Sequence, residues 1–365
     1  MTTRLLEPTS LGDLHLPNRI VMAPMTRRRA VHGKVPPDIT ALYYAQRASA
    51  GLIVSESIEV DPWSGLEGPT RPGLFTDAQQ EGWATVTQGV HAAGGRIFAQ
   101  LSHMGRGAHS SQLQPGGRVV GPSAIAAGGS IYTQAGPVPF QTPDELTVGE
   151  IAEVVGHYAE AARRAHAAGF DGVELHGANG YLIDQFLRDG SNQRSDDYGG
   201  SAAKRARFLL EIFAAVARYW PTERIGIRLS PTNLFQGMSD TDPVQHFATI
   251  ANLIGPLAPA YLHVVEPEVQ PEGVPYVAAA IRSSFEGKLI LAGKYDAVSA
   301  ESALARGAAD LVAFGEKFIA NPDLPERLRR GVDLAVPDKA TFYTSGPEGY
   351  VDYPSLPGWA PRADK

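Results

Sequence analysis

The sequence predicts an α/β protein folded as a (β/α)8 TIM barrel, with an N-terminal hairpin plug and a long lid insertion after strand 3. Three observations carry this expectation. Short β-branched runs alternate with longer helix-patterned segments along almost the whole chain, the signature of βα units around a parallel sheet. Eight such runs can be counted, which implies a closed barrel. The first run is followed by "MAPMTRRRA", whereas an open doubly wound sheet, the alternative arrangement, usually carries a glycine-rich phosphate loop there.

The elements follow in chain order. "LEPTSLGDLHLPNR" alternates apolar and polar residues around Gly12-Asp13 and reads as a hairpin able to plug the barrel's bottom. The expected strands are "RIVMAP" from Arg19, "GLIVSE" from Gly51, "GRIFAQL" from Gly95, "DGVELH" from Asp171, "RIGIRLS" from Arg224, "AYLHVVE" from Ala260, "GKLILAG" from Gly287 and "DLVAFG" from Asp310. Their near-continuous apolar character suits parallel strands buried on both faces. Between Thr147 and Gly169, Ile151, Val154, Val155, Tyr158 and Ala162 recur at helical spacing before a terminal glycine. The stretch 102–146 is rich in Gly and Pro and too long for an ordinary βα loop, so it is expected to be a lid or binding loop. No linker is visible: residues 1–365 are expected to form one domain, with 335–365 as a C-terminal extension.

Composition narrows the function. A net charge of −7 without a basic run argues against a nucleic-acid surface. The absence of cysteine excludes disulfides, Cys-ligated zinc, iron–sulfur clusters and thiol catalysis. The N-terminus lacks a basic-then-apolar leader, and no run approaches the roughly 18 apolar residues of a membrane span, so a soluble cytoplasmic protein acting on small molecules is expected.

In a βα barrel the chemistry sits at the C-terminal ends of the strands. Here those ends carry Pro24-Met25-Thr26, Ser55-Glu56-Ser57, Gln100, His176 with Asn179 and Tyr181, Arg228, Gly293-Lys294 and Gly315-Glu316-Lys317. His176 has no second histidine at ligand spacing, so a metal shell is not expected. Amide, hydroxyl, imidazole and guanidinium groups, with two late glycine turns suited to phosphate, fit a flat polar heterocycle such as flavin mononucleotide.

At these residues the chain resembles the old yellow enzyme family of ene-reductases. The resemblance runs from Leu5 to Pro357 and rests on "NRIVMAPMTR", "YYAQRASAGLIVSE", "HAAGGRIFAQL", "HGANGYLIDQFLRDGSNQRSDDYGGS", "RLSP", "FIANPDL" and "GYVDYP" in that order. It implies a flavin mononucleotide cofactor, reduced by NADH or NADPH in a ping-pong cycle, and activated alkenes as acceptors: enones, enals, maleimides and nitroalkenes, with nitrate esters as a further class. It implies backbone contacts to the flavin from Pro24 and Met25, a hydrogen bond from Thr26, pyrimidine-side contacts from Ser57 and Gln100, and Arg228 where charge accumulates on reduction. His176 and Asn179 would hold the substrate's activating oxygen, and Tyr181, a phenol protonated at neutral pH, would donate the proton. Tyr343 and Phe235 would wall the substrate pocket. Asparagine at 179 and threonine at 26 place the chain in the asparagine-and-threonine branch.

Three positions depart from the family pattern. Ser102 stands where tryptophan is frequent, implying a roomier substrate pocket. Lys294 stands where a small or amide residue is common, and Glu316 where arginine usually binds phosphate. Gly293, Lys294, Gly315 and Glu316 are therefore expected to grip phosphate through backbone N–H groups, with Lys294 or Lys317 supplying charge. A barrel that binds flavin or a phenol without turnover, as a sensor or store, is the alternative function, and a monomer or homodimer the expected assembly.

Overall fold

All eight expected strands are present, in a computed structural model that describes residues 3–63, 71–133, 135–267 and 276–359. They are β1 (Ile20–Met22), β2 (Leu52–Glu59), β3 (Ile97–Ser102), β4 (Gly172–Gly177), β5 (Ile225–Leu229), β6 (Tyr261–Val265), β7 (Leu289–Ala292) and β8 (Leu311–Phe314). They pair in chain order, all parallel, and β8 pairs with β1 to close the barrel. Every residue of β2, β3, β4 and β5 is buried, as strands with an interior layer on one face and helices on the other must be.

The hairpin of Thr9–Leu11 and Leu14–Leu16 turns at Gly12, whose φ of +55° favours glycine. Leu11, Leu14 and Leu16 pack with Leu52, Phe98 and Tyr261 in one buried cluster. Asp13 pairs with Arg224, immediately before β5, so the hairpin lies at the N-terminal end of the barrel, opposite the strand ends that carry the polar residues. Each buried leucine contributes about 1.5–3 kcal/mol to that closure.

The helix predicted between Thr147 and Gly169 spans Val148–Ala167. Thr147 Oγ1 accepts the Glu150 N–H at 3.3 Å while Glu150 Oε2 accepts the Thr147 N–H at 2.8 Å, a reciprocal capping box. Its buried face is Ile151, Val154, Tyr158, Ala162 and Ala165.

Between β3 and this helix the insertion carries two short 3-10 turns, a hairpin of Ser130–Thr133 with Gly136–Pro139, and a parallel pair of Val120–Gly121 with Asp144–Glu145. Arg194 ties its middle to its end by donating to Pro122 O at 3.0 Å and Leu146 O at 2.6 Å. At the other side of the mouth the C-terminal extension is bound to the segment after β1. Arg27 donates to Phe342 O at 3.1 Å and Gly349 O at 2.7 Å, and Arg29 donates to Thr341 O at 3.0 Å. Tyr350 stacks on Tyr43 with ring centroids 4.1 Å apart. No helix among the described residues is long and apolar enough to cross a membrane.

Candidate functional site

Register brings the polar strand ends together. Ser57 lies opposite Gln100 after a shift in the β2–β3 pairing, Gln100 lies opposite Glu174, and His176 lies opposite Arg228. The strands open onto a cavity of about 890 Å³. Pro24, Met25, Thr26, Ser57, Gln100, Arg228, Gly293, Gly315 and Glu316 line it, together with His176, Asn179, Tyr181, Phe235 and Tyr343. Phe235 and Tyr343 stand at its rim, 57% and 61% exposed.

His176 is the penultimate residue of β4, with Gly177 closing the strand. Asn179 follows in the left-handed region, φ +57°, which asparagine tolerates better than most side chains. Its backbone N–H donates to Ser230 Oγ at 2.7 Å, and its Oδ1 accepts from Asn233 Nδ2 at 2.9 Å. The Asn179 carbonyl is thus turned to Asn233, and its NH2 group is left to face the cavity. The His176 ring lies edge-on to Tyr181 at 4.9 Å. Burial pushes the His176 imidazole well below its ordinary pKa, and the charges of Arg228 and Arg71 add to this, so the ring is neutral at physiological pH. Tyr181 then caps the short helix Leu182–Leu187, where Asp184 holds the turn by accepting from Gly180 N at 2.8 Å. Burial pushes Asp184 up to about 6.

Beneath the donors lies a polar hub that the sequence did not reveal. Glu174 accepts from Gln100 Nε2 at 2.7 Å and Tyr261 Oη at 3.1 Å, and lies 2.8 Å from His263 Nδ1. Burial opposes its charge, but His263, Arg228 and Gln100 together hold it below the usual carboxylate range. Because Gln100 spends its NH2 group on Glu174, it keeps its carbonyl oxygen as an acceptor. Alternation along a strand could have flagged Glu174, which is two residues before His176; its partners could not be read without the register.

The fit to flavin mononucleotide rests on what these groups lack. Ser57 Oγ, His176 Nδ1 and Arg228 Nε are buried and have no hydrogen-bond partner among the described residues. An acceptor at Gln100, a hydroxyl at Ser57 and a cation at Arg228 suit the edge of a polar heterocycle whose pyrimidine side carries an N–H and carbonyls. Glu316 borders the cavity but is exposed, 3.9 Å from Lys339, and Lys317 donates to Tyr295 O at 2.7 Å.

Two expected positions do not reach this cavity. Lys294 lies in an adjoining cavity of about 810 Å³ with Tyr295 and Arg306, and among the described residues only Gly293 borders both. The change of side comes two residues beyond the strand end, one past Gly293. Ser102 is buried, with its Oγ lacking a partner, beside Glu59 at the extended ends of β2 and β3. Glu59 forms a buried ion pair with Lys34, and Ser102 is not among the residues that line the cavity. In its place the wall carries two arginines the sequence did not single out, Arg28 and Arg71.

Residues 4–335 match the NADH:flavin oxidoreductase / NADH oxidase family. A Leishmania infantum protein named "probable flavin mononucleotide-dependent alkene reductase" is 42% identical over 362 residues, covering 96% of this chain and 97% of that protein. The 12-oxophytodienoate reductase 1 of Oryza sativa subsp. japonica is 39% identical over 361 residues, covering 96% and 93%. Among solved structures, morphinone reductase in complex with tetrahydroNAD superposes with a TM-score of 0.91 at 45% identity, covering 97% of this chain and 98% of the other.

Proposed function

The chain belongs to the NADH:flavin oxidoreductase / NADH oxidase family, and from that premise we propose that it is a flavin mononucleotide-dependent reductase of activated C=C bonds that consumes NADH or NADPH. Its acceptors are small electrophilic alkenes. When bound, flavin mononucleotide supplies the two-electron chemistry, taking hydride from the nicotinamide and giving it to the alkene.

The protein's own residues supply binding, polarisation and a proton. His176 and Asn179 hold the activating carbonyl or nitro oxygen between two donors. The observation that carries this assignment is the Asn233–Asn179 hydrogen bond, which leaves the Asn179 NH2 group beside a neutral His176 whose Nδ1 has no protein partner. Two donors aimed at one oxygen that gains negative charge lower the barrier by several kcal/mol, on the order of oxyanion-hole effects. Tyr181, whose ring lies against His176, gives its proton to the α-carbon. Pro24, Met25, Thr26, Ser57, Gln100 and Arg228 hold the flavin ring, and Gly293, Gly315 and the Glu316 backbone border its phosphate. The 102–146 insertion, which contributes Tyr132 to the cavity wall, acts as the lid. A cytoplasmic monomer or homodimer belongs to the same proposal.

Anaerobic NADPH should bleach the yellow protein, and 2-cyclohexenone should restore the colour. Bleaching without recovery by any enone, maleimide or nitroalkene would instead favour a binding protein without turnover.

A further inference from the structure

On the reading that this cavity reduces alkenes, the next question is which alkenes, and the cavity's charge gives an answer. Among the described residues four arginines line it, Arg27, Arg28, Arg71 and Arg228, against one carboxylate, Glu316, which is exposed and faces Lys339. Arg27 is committed to the C-terminal extension, and Arg228 sits at the floor beside His176. Arg28 and Arg71 remain, both on the side of Tyr181.

Their placement is specific. Arg27 and Arg29 bind the C-terminal extension, whereas Arg28 between them takes a left-handed backbone, φ +57°, and turns into the cavity over the Tyr343 ring, 5.4 Å from its centroid. No hydrogen bond of its guanidinium is found among the described residues. Arg71 lies over the Tyr181 ring at 4.8 Å and donates from Nη2 to the Tyr181 oxygen at 2.5 Å. That bond occupies the phenol as acceptor and leaves its own O–H to donate into the cavity. The nearest carboxylates on described residues are hydrogen-bonded elsewhere, Glu59 to Lys34 and Glu56 to the Arg27 backbone N–H at 3.1 Å, although the charges of both still favour the Arg71 cation. Two like charges therefore converge on one wall, and among the described residues no carboxylate lines the cavity between them. Burial, and next the charge of Arg71, hold the Arg28 guanidinium below its ordinary pKa, the condition an anion between them would relieve.

We propose that Arg28 and Arg71 form an anion-binding pair beside Tyr181, and that the preferred acceptors are alkenes bearing a carboxylate in addition to the oxygen held by His176 and Asn179. The Arg28 fork can meet a carboxylate in two-point contact, while Arg71, whose Nη groups already bond Tyr181 and Met104, adds its charge; the field of the pair favours anions at distances where neutral substrates gain nothing. A phosphate of the nicotinamide shares the recognised chemistry, and the test separates the two.

Titrate the flavin-loaded enzyme with 3- and 4-hydroxybenzoate and with the matching hydroxybenzamides, following the flavin spectrum and, independently, the heat of binding. The better hydroxybenzoate should bind about tenfold or more tightly than its amide at low ionic strength, the scale of a charge-assisted contact. The preference should shrink with added salt, and Arg28→Gln and Arg71→Gln should each move it toward one. Equal affinities for acid and amide in the parent enzyme would overturn the proposal, as would a preference that both variants retain. It would also be overturned if the variants weakened NADPH relative to NADH and left the benzoate preference intact, because the anion would then be a nicotinamide phosphate. Reduction of neutral 2-cyclohexenone is measured alongside: its absence would count against alkene reduction itself, whereas its presence with equal benzoate and benzamide binding would remove only the carboxylate preference.

Discussion

Asn233 Nδ2 donates to Asn179 Oδ1 at 2.9 Å, and this one bond decides which end of the Asn179 amide faces the cavity. Asn233→Ala should weaken binding of phenolic ligands to the flavin-loaded enzyme by a few-fold, on the order of 1 kcal/mol for a lost orienting hydrogen bond. Asn233→Asp should weaken it further. A carboxylate cannot donate to Oδ1, so it would attract the Asn179 NH2 group and present the carbonyl to the ligand oxygen. Equal losses in the two variants, read by spectral titration, would show that Asn233 does not set this orientation.

Tyr181 sits against His176 with its oxygen already accepting from Arg71. Tyr181→Phe should leave reduction of the enzyme by NADPH nearly intact and slow its reoxidation by 2-cyclohexenone by about 10²-fold or more, since the proton is needed only there. Nitroalkenes should suffer less, because a nitronate is stable enough to leave and take its proton from water. Stopped-flow measurement of both half-reactions decides it, and equal slowing of the two would remove Tyr181 as the proton donor.

Burial first, then Arg228 and Arg71, keep His176 neutral. Phenol affinity, corrected for ionisation of the phenol itself, should therefore show no step between pH 6 and 8, because the imidazole does not protonate in that window. A step that appears in the parent enzyme and disappears in His176→Ala would mean the ring titrates. Affinity itself should fall in both His176→Ala and Asn179→Ala, each of which loses one donor.

Much of this arrangement is legible in the sequence because local rules agree with the fold. The eight strands announce themselves by β-branched runs, the Val148–Ala167 helix by the spacing of its apolar residues and the glycine that follows it, and His176, Asn179 and Tyr181 by standing at and just past the end of β4. What stays hidden depends on register and on one-residue changes of side. Glu174 acquires its meaning from Gln100 and His263 on other strands, and Asn233 from a loop more than fifty residues after Asn179. Lys294 and Ser102 follow one and two residues after Gly293 and Gln100, which line the cavity, yet Lys294, two residues past β7, borders another cavity and Ser102, at the extended end of β3, is buried outside the lining. Arg28 and Arg71 escape notice for a related reason: an arginine in a loop reads as solvated until its backbone conformation and its stacking partner are known.

Glu56 gives the last prediction, which concerns stability. It is buried within β2, and burial, only partly offset by the Arg27 N–H, the Arg27 charge and the Arg28 N–H, pushes its carboxyl up from 4.5 to about 7. The folded state thus binds this proton more tightly than the unfolded chain does. Its contribution to stability is complete below the unfolded value, declines as pH rises, and is gone once the folded value is passed. Between pH 5 and 8 the loss is about 2–3 kcal/mol. Glu56→Gln keeps an acceptor for the Arg27 and Arg28 N–H groups and removes the titration. Relative to the parent, the variant should therefore gain that amount on going from pH 5 to pH 8, with Asp184, pushed up to about 6, leaving a smaller slope of the same sign in both proteins. Urea unfolding of both proteins at pH 5 and 8, at one fixed flavin concentration so that cofactor binding does not shift the comparison, measures the difference. Parallel pH dependence in the two proteins would mean that Glu56 is ionised in the fold at neutral pH, held by the same Arg27 and Arg28 segment that brings Arg28 to the cavity wall.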